Sequence, residues 1–177
     1  DPVCQESIYK KTVQDISDVG FCTIKNLYEI HGEETDALTT LDADGIMLHR
    51  HPFIADRPGM DHTDTPGVAY VIREHKPCIS EVFYNNLGNP AISISEPVFY
   101  KNEFTGVARW MMQLDTVYKR FLQPIKAGEK GSSWILDDRG IIVAHDDSEA
   151  LCKNFLALKR QKSPDHDWSA LELSLIH

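Results

Sequence analysis

Two distant segments share the order Leu-Asp-x-x-Gly-Ile, and this repeat constrains the fold more than any other feature of the sequence. The first runs from Leu41 to Ile46 and the second from Leu136 to Ile141. Glycine suits a tight turn because it takes a positive φ without a Cβ clash, and the flanking apolar and β-branched runs are typical of strands. The sequence therefore predicts that the start of one small hairpin unit occurs at two places in the chain.

Periodicity around the first copy predicts a helix followed by a sheet. Apolar or small residues recur at steps of three and four over residues 7–30, which indicates one long amphipathic N-terminal helix. Five strands are predicted, two in the hairpin at 38–49 and three in an antiparallel meander at 78–84, 91–100 and 104–114. The predicted class is α+β, with a five-stranded antiparallel sheet and a long crossover between its second and third strands.

The crossover and the second copy are less regular. Residues 53–66 are rich in Pro, Gly and helix-capping Asp and Thr, and a short helix is expected over 68–75. Further helices are predicted over 115–126, after Ser148, and over 167–176 around the second hairpin at 134–144. Three strands that a full repeat would contain do not follow, so the second unit is expected to be incomplete and to leave a hairpin edge unpaired.

Composition excludes several functional classes. A net charge of −9 and the lack of a basic run argue against a nucleic-acid partner. No apolar stretch approaches the ~20 residues that cross a bilayer, and no signal-peptide core opens the chain. Neither a nucleophile elbow, a phosphate-binding glycine loop nor a zinc-protease motif occurs, so no catalytic residue and no cofactor are predicted.

The ends and the cysteines bear on the cellular context. The chain begins at Asp1-Pro2 without a Met and stops at His177, which we interpret as a segment of a longer protein. Its four cysteines lie too far apart for a Cys-x-x-Cys motif. Buried free thiols are one interpretation, and disulfides are the other if the chain is extracytoplasmic. These residues are Cys4, Cys22, Cys78 and Cys152.

The order of these motifs resembles the Cache sensor domains, which are PAS-like extracellular modules of prokaryotic receptors. The likeness is carried by the long helix, the Asp-Gly hairpin, and the segments 59–66, 76–83, 97–98 and 104–107. Segment 131–145 resembles the start of a second module in a double Cache domain. The resemblance implies a membrane-distal sensor module over 1–127 and an incomplete membrane-proximal module over 128–177.

The same resemblance implies a function. Cache domains are the extracytoplasmic, non-catalytic ligand-binding parts of transmembrane receptors, so the parent protein is expected to be a histidine kinase first, and a chemoreceptor or cyclase next. It implies a small organic ligand, a homodimer through the N-terminal helix, and membrane contact only through segments outside this chain. Ligand binding would be passed on as a conformational change.

One Cache subgroup binds α-amino acids, and this chain departs from its pattern. Thr65 stands in place of the carboxylate-binding Arg, while Gly67 and Val68 replace the Trp and Tyr that follow. Phe83 replaces a strand Tyr, and Met111 falls near the Asp that binds the ammonium group. Because both charges of an amino acid need partners, the sequence predicts that this scheme is not used.

The resemblance places the pocket wall, and strand alternation supports part of it. Val107, Arg109 and Met111 share one strand face, and Arg109 could bind a carboxylate or phosphate. Arg109 could instead reach solvent or pair with Glu81 or Glu96, and the apolar members could be simple core. The predicted wall is Met60, Thr65, Val68, Tyr70, Phe83, Arg109 and Met111.

Two alternatives remain open from sequence alone. The first is a metal-binding or hydrolytic domain, because His49 and His51 share one strand face and His62 follows among Asp56, Asp61 and Asp64. Those aspartates are equally explained as helix caps, and the spacing matches no zinc signature, so no metal is predicted. The second alternative is a domain that supplies dimer contacts alone and binds no ligand.

Overall fold

A computed structural model of the chain describes residues 2–11, 19–85, 87–125 and 133–174. The chain folds as two compact units, Asp1–Glu81 with Ile92–Met112, and Val82–Ala91 with Gln113–His177. The predicted boundary between residues 127 and 128 lies outside the described residues. Among the described residues, no helix combines the length and the hydropathy needed to cross a bilayer.

The mixed α and β content confirms the predicted class. The helices of the first unit are α1 (Pro2–Tyr9), α2 (Val19–His31) and α3 (Val68–Glu74). Strands along the chain are β1 (Ala37–Asp42), β2 (Met47–His51), β3 (Cys78–Ile79), β4 (Phe83–Tyr84), β5 (Pro90–Tyr100) and β6 (Glu103–Gln113). The later elements are α4 (Leu114–Val117), β7 (Ile135–Leu136), β8 (Ile142–Ala144), α5 (Phe155–Lys162) and α6 (Ser169–Ser174).

The larger sheet has the order β2-β1-β6-β5-β3, and β4 pairs with the start of β5. The five-stranded prediction was wrong in one respect, because the predicted strand 78–84 is two short strands. Between them, Ser80 Oγ accepts a hydrogen bond of 2.9 Å from the Ser93 amide, so a side chain takes the place of a backbone ladder bond. The ladder resumes at Phe83, which pairs with Ala91.

The predicted single N-terminal helix was also wrong. Helix α1 ends at Tyr9, and Lys11 has the left-handed φ of 51°, which a continuing α-helix does not allow. Its Nζ lies 3.1 Å from Asp42 Oδ2 at the end of β1. Helices α1 and α2 pack against each other and against the first hairpin, while residues 12–18 of the predicted helix lie outside the described residues.

The first hairpin is closed by its own aspartate. Asp42 Oδ1 accepts hydrogen bonds from the amides of Asp44 at 3.0 Å and Ile46 at 2.9 Å. The Gly45 amide donates to the Asp42 carbonyl, and Gly45 has a φ of 82° that favours glycine. The Asp-Gly pair therefore fixes this turn through a side chain and a backbone conformation together.

The second hairpin repeats each of these hydrogen bonds. Asp137 Oδ1 accepts from the amides of Arg139 at 3.0 Å and Ile141 at 2.8 Å. The Gly140 amide donates to the Asp137 carbonyl, and Gly140 has a φ of 73°. The repeat predicted from six letters of sequence is thus a repeat of conformation.

The equivalence continues past the hairpins. In the first unit the Met47 amide donates to the Met60 carbonyl, and the Gly59 amide donates to the Met47 carbonyl. The matching bonds of the second unit run from Ile142 to Lys153 and from Cys152 to Ile142. Gly59 and Cys152 also share a left-handed φ, of 87° and 63°.

The core of the first unit lies on one face of its sheet. Leu41 and Val107, which pair across β1 and β6, are fully buried against Val68 and Val71 of α3. Burial of such side chains is the main favourable term in folding, at roughly 1.5–3 kcal/mol each. Helix α3 thus covers one end of this face.

The second unit has its own small core. Trp134 packs against His145 and Phe155, with ring centroids 3.7 Å and 4.8 Å away. Asn154 caps α5, because its Oδ1 accepts a bond from the Ala157 amide at 3.0 Å. Among the described residues, those that follow Ala144 form helices and turns, and no strand follows β8.

Candidate functional site

The strands β2, β1 and β6 present two faces with different coverings. On one face, His49 Nε2 lies 3.4 Å from Ser7 Oγ of α1, and the rings of Tyr28 and His51 meet at 4.7 Å. His31 of α2 lies against Trp110 on the same face. The N-terminal helices therefore cover this face, which leaves the opposite face for the ligand-binding candidates.

On the opposite face, two arginines flank a threonine in a row across the three strands. Thr39 of β1 pairs with Arg50 of β2 on one side and with Arg109 of β6 on the other. Directly paired residues point to the same face of a sheet. Exposed fractions are 8% for Arg50, 5% for Thr39 and 5% for Arg109, so all three are buried. We call these residues the arginine row.

Burial disfavours the charge on both arginines. It is the main cause that lowers the pKa of Arg109 to about 10, and the positive charge of Arg50 lowers it further. Burial also lowers the pKa of Arg50. The Asp36 carboxylate opposes both shifts, so its negative charge favours the charged form of both arginines.

His62 of the crossover loop borders the arginine row. Burial, followed by the charges of Arg109, Arg57 and Arg50, lowers the pKa of its imidazole, while Asp61 opposes the shift. His62 Nδ1 lies 3.1 Å from Thr65 Oγ1, and Nε2 is buried without a hydrogen-bond partner among the described residues. The site therefore combines two buried guanidinium groups with an imidazole whose lowered pKa disfavours its charged form.

The lowered pKa of His62 predicts a loss of stability in mild acid. The unfolded chain takes up a proton on this imidazole near pH 6.5, whereas the folded chain takes it up only at lower pH. We expect the ligand-free protein to lose stability as the pH falls from 7.5 to 5.5, and His62→Gln to reduce this loss. Urea unfolding at both pH values checks it, and an equal loss in the variant would contradict the assignment. His166→Gln, at an exposed position, is the matched control.

No protein-family model matches the sequence, and no curated protein does either. Solved structures do match. An extracellular ligand-binding receptor from Desulfohalobium retbaense superposes with a TM-score of 0.73 at 18% identity, over 90% of this chain and 29% of that one. The ligand-binding domain of the Pseudomonas fluorescens chemoreceptor CtaA, solved with L-valine, gives 0.66 at 18% identity, over 90% and 68%.

The sensor domain of the V. cholerae histidine kinase DctB gives a TM-score of 0.58 at 14% identity, over 76% of this chain and 50% of that one. Chemoreceptors and histidine kinases thus share this architecture. The chain has the Cache fold. It spans well under two thirds of the length of the Desulfohalobium and DctB structures.

Some of the predicted wall residues lie near the arginine row, and the others do not. Arg109 and Met111 lie on the face opposite the helices, with Arg109 Nη2 3.8 Å from Met111 Sδ, and Thr65 contacts His62. Val68 is fully buried in the apolar core beside Leu41, so it packs against the sheet.

The other predicted members lie elsewhere. Met60 is 37% exposed on the crossover loop and contacts the Arg57 guanidinium through its sulfur. Tyr70 is 38% exposed on α3 with the Arg73 guanidinium 5.9 Å from its ring. Phe83 is on β4, which belongs to the second compact unit.

Sequence reasoning missed Arg50, although the signal was present. His49 and His51 were placed on one face of β2, so strand alternation puts the intervening Arg50 on the opposite face. Alternation had likewise placed Arg109 on one face of its own strand, with no relation to the faces of β2. Only the register of β1 between β2 and β6, which no periodicity reveals, brings the two cations into one row.

The same division of the two faces does not favour the histidine alternative. His49 is fully buried toward the helices, with Nδ1 2.6 Å from Thr40 Oγ1, and His51 packs on Tyr28. His62 instead borders the arginine row on the other side of the sheet. In the part of the chain that is described, no three His, Cys, Asp or Glu residues are grouped to hold a metal ion.

Proposed function

We propose that this chain is the extracytoplasmic ligand-sensing domain of a transmembrane receptor, and that it binds a small organic acid. The observation that carries the proposal is Arg109, a buried guanidinium on the sheet face opposite the N-terminal helices. Arg109 presents a planar fork of donors that matches a carboxylate. An anion at this site would offset the unfavourable burial of its charge.

The fold supports this role. Structures that share it are extracellular or sensor domains of chemoreceptors and histidine kinases. In this chain the helices pack on the other face of the strands that carry Arg109, so a shift of the strands on ligand binding would reach α1 and α2 directly. We infer a non-catalytic domain whose output, a histidine kinase or a chemoreceptor, lies elsewhere in the parent protein. Dimerisation through the N-terminal helices stays a prediction.

The crossover loop is the part best placed to respond to the ligand. It joins β2 to α3, and its His62 borders the arginine row while its Thr65 contacts His62. A ligand can shift the loop only by its differential affinity for two loop arrangements. Contacts between an acid and His62 would favour the arrangement in which the loop lies over the site.

An α-amino acid is a poorer fit than a simple acid. PctC was solved with GABA and Mlp24 with asparagine, which are ligands of those proteins. In this chain the charged side chains that act on Arg109 and His62 are mostly cations, with Asp36 and Asp61 opposing them. An ammonium group would add a further cation, so we propose an acid without one.

Isothermal titration tests the proposal against a panel of monocarboxylates, dicarboxylates, amino acids, amines and nucleobases. We expect at least one carboxylate without an ammonium group to bind and to raise the melting temperature, because a ligand selective for the folded state stabilises it. Binding of amines or nucleobases alone would overturn the choice of ligand class. Unchanged melting across the whole panel would favour a domain that only supplies dimer contacts.

A further inference from the structure

We propose that the ligand carries two anionic groups, one bound by Arg109 and the other by Arg50, with the Thr39 hydroxyl between them. This inference rests on the proposed function and specifies its ligand class as a short dicarboxylate or another small organic dianion. Its basis is the arginine row, which is a property of strand register and independent of the likeness to other proteins.

The spacing of the row fits a ligand with two separated charges. Neighbouring strands lie about 4.8 Å apart, so the Cα atoms of Arg50 and Arg109, one strand removed on either side of Thr39, are about 10 Å apart. Long arginine side chains can converge from that separation. Each fork can then bind its own anionic group with two parallel hydrogen bonds, a geometry that a single carboxylate cannot offer to both forks at once.

Thr39 gives the row a polar centre. Thr39 is 5% exposed, and its Oγ1 has no hydrogen-bond partner among the described residues. A buried hydroxyl without a partner costs free energy, which a ligand oxygen would recover. Because the hydroxyl both donates and accepts, it can bind an oxygen of either anionic group or a hydroxyl on the carbon chain between them.

Charge balance leads to the same ligand class. Two guanidinium groups are buried in the row, and the Asp36 carboxylate acts on both. A ligand carboxylate would add a second negative charge beside them. A second ligand carboxylate would compensate the positive charge of Arg57, which also acts on His62, and would favour imidazolium formation there. A dianion therefore matches the site better than a monoanion.

Matched acids test the inference on the unaltered protein. Titration would compare saturated dicarboxylates from malonate to adipate with butyrate and with the monoamide of the best dicarboxylate. We expect that dicarboxylate to bind about tenfold or more tightly than its monoamide, as a second charge-assisted contact implies. Equal affinities would overturn the inference and leave the proposed acid sensor standing. Binding of no acid at all would overturn both.

Variants locate the second contact. Arg50→Gln is expected to abolish the preference for the dicarboxylate over its monoamide and to leave monoamide affinity within about threefold, whereas Arg50→Lys retains part of the preference. Arg73→Gln, at an exposed arginine of α3, is the matched control and should retain all of it. A full preference in a folded Arg50→Gln protein would place the second anionic group elsewhere and overturn the assignment.

Discussion

Arg109→Gln is expected to weaken binding of an acidic ligand by about 30-fold or more. Removing one member of a buried, hydrogen-bonded charge pair costs about 2 kcal/mol or more, which corresponds to that factor. Glutamine retains a polar side chain of moderate length on β6 but has neither the charge nor the fork. Isothermal titration with the acid that binds the unaltered protein most tightly measures the change.

Two controls separate binding from folding. Arg109→Lys keeps the charge and should fall between the unaltered protein and the glutamine variant, because an ammonium group cannot match a carboxylate with two parallel bonds. Arg73→Gln should bind normally. Affinity that survives Arg109→Gln, in a variant whose urea unfolding shows it to be folded, would show that the acid does not bind at the arginine row.

Gly106→Ala is expected to destabilise the first unit by about 3 kcal/mol or more. Gly106 pairs with Asp42 at the end of β1, and a Cβ at this position would overlap the Leu41 carbonyl oxygen. It would also lie 2.9 Å from Ile8 Cγ2 of α1. Neither a rigid strand backbone nor a helix packed on it can move away without loss of the pairing.

The matched control is Gly59→Ala. Among the described residues, and apart from Gly59 and its two chain neighbours, no atom lies within 4 Å of a Cβ built there. The cost therefore comes from the φ of 87°, and we expect about 1 kcal/mol. Urea unfolding of the two variants measures the difference, which reflects the close approach of β1 and α1 to Gly106. Equal losses would mean that the sheet yields at Gly106 and that this approach does not matter.

Local chemistry made the hairpins predictable. The Asp-Gly pairs specify their turns through a side-chain acceptor and a left-handed glycine, and both properties are visible in the sequence. The long alternating strands β5 and β6 were predictable for a similar reason, because an alternating run joined by Lys101-Asn102 favours a hairpin. Both turn residues have positive φ, of 53° and 67°.

Tertiary interactions decided what was missed. The periodicity over residues 7–30 is helical, yet Lys11 leaves the helix and its ammonium group pairs with Asp42. Interruption of the strand at Ser80 depends on the Ser93 amide across the sheet. Likewise, Arg109 was found by alternation within one strand, whereas Arg50 became its neighbour only through pairing of three strands. Such contacts leave no trace in a local pattern.

The equivalent hydrogen-bonded positions in the two units have a consequence for how such a protein can diversify. The turn residues Gly45 and Gly140 are 95 positions apart, whereas Met60 and Lys153, whose carbonyls accept the matching hydrogen bonds, are 93 apart. The segment from the turn to the accepting carbonyl is therefore two residues shorter in the second unit. The backbone hydrogen bonds at the two ends of this segment are nonetheless equivalent in the two units. Length and composition of the connecting loop can thus change while its ends stay fixed. In the first unit that loop leads to His62. Replacement of this short segment could therefore change which ligand such a domain binds while the sheet stays the same.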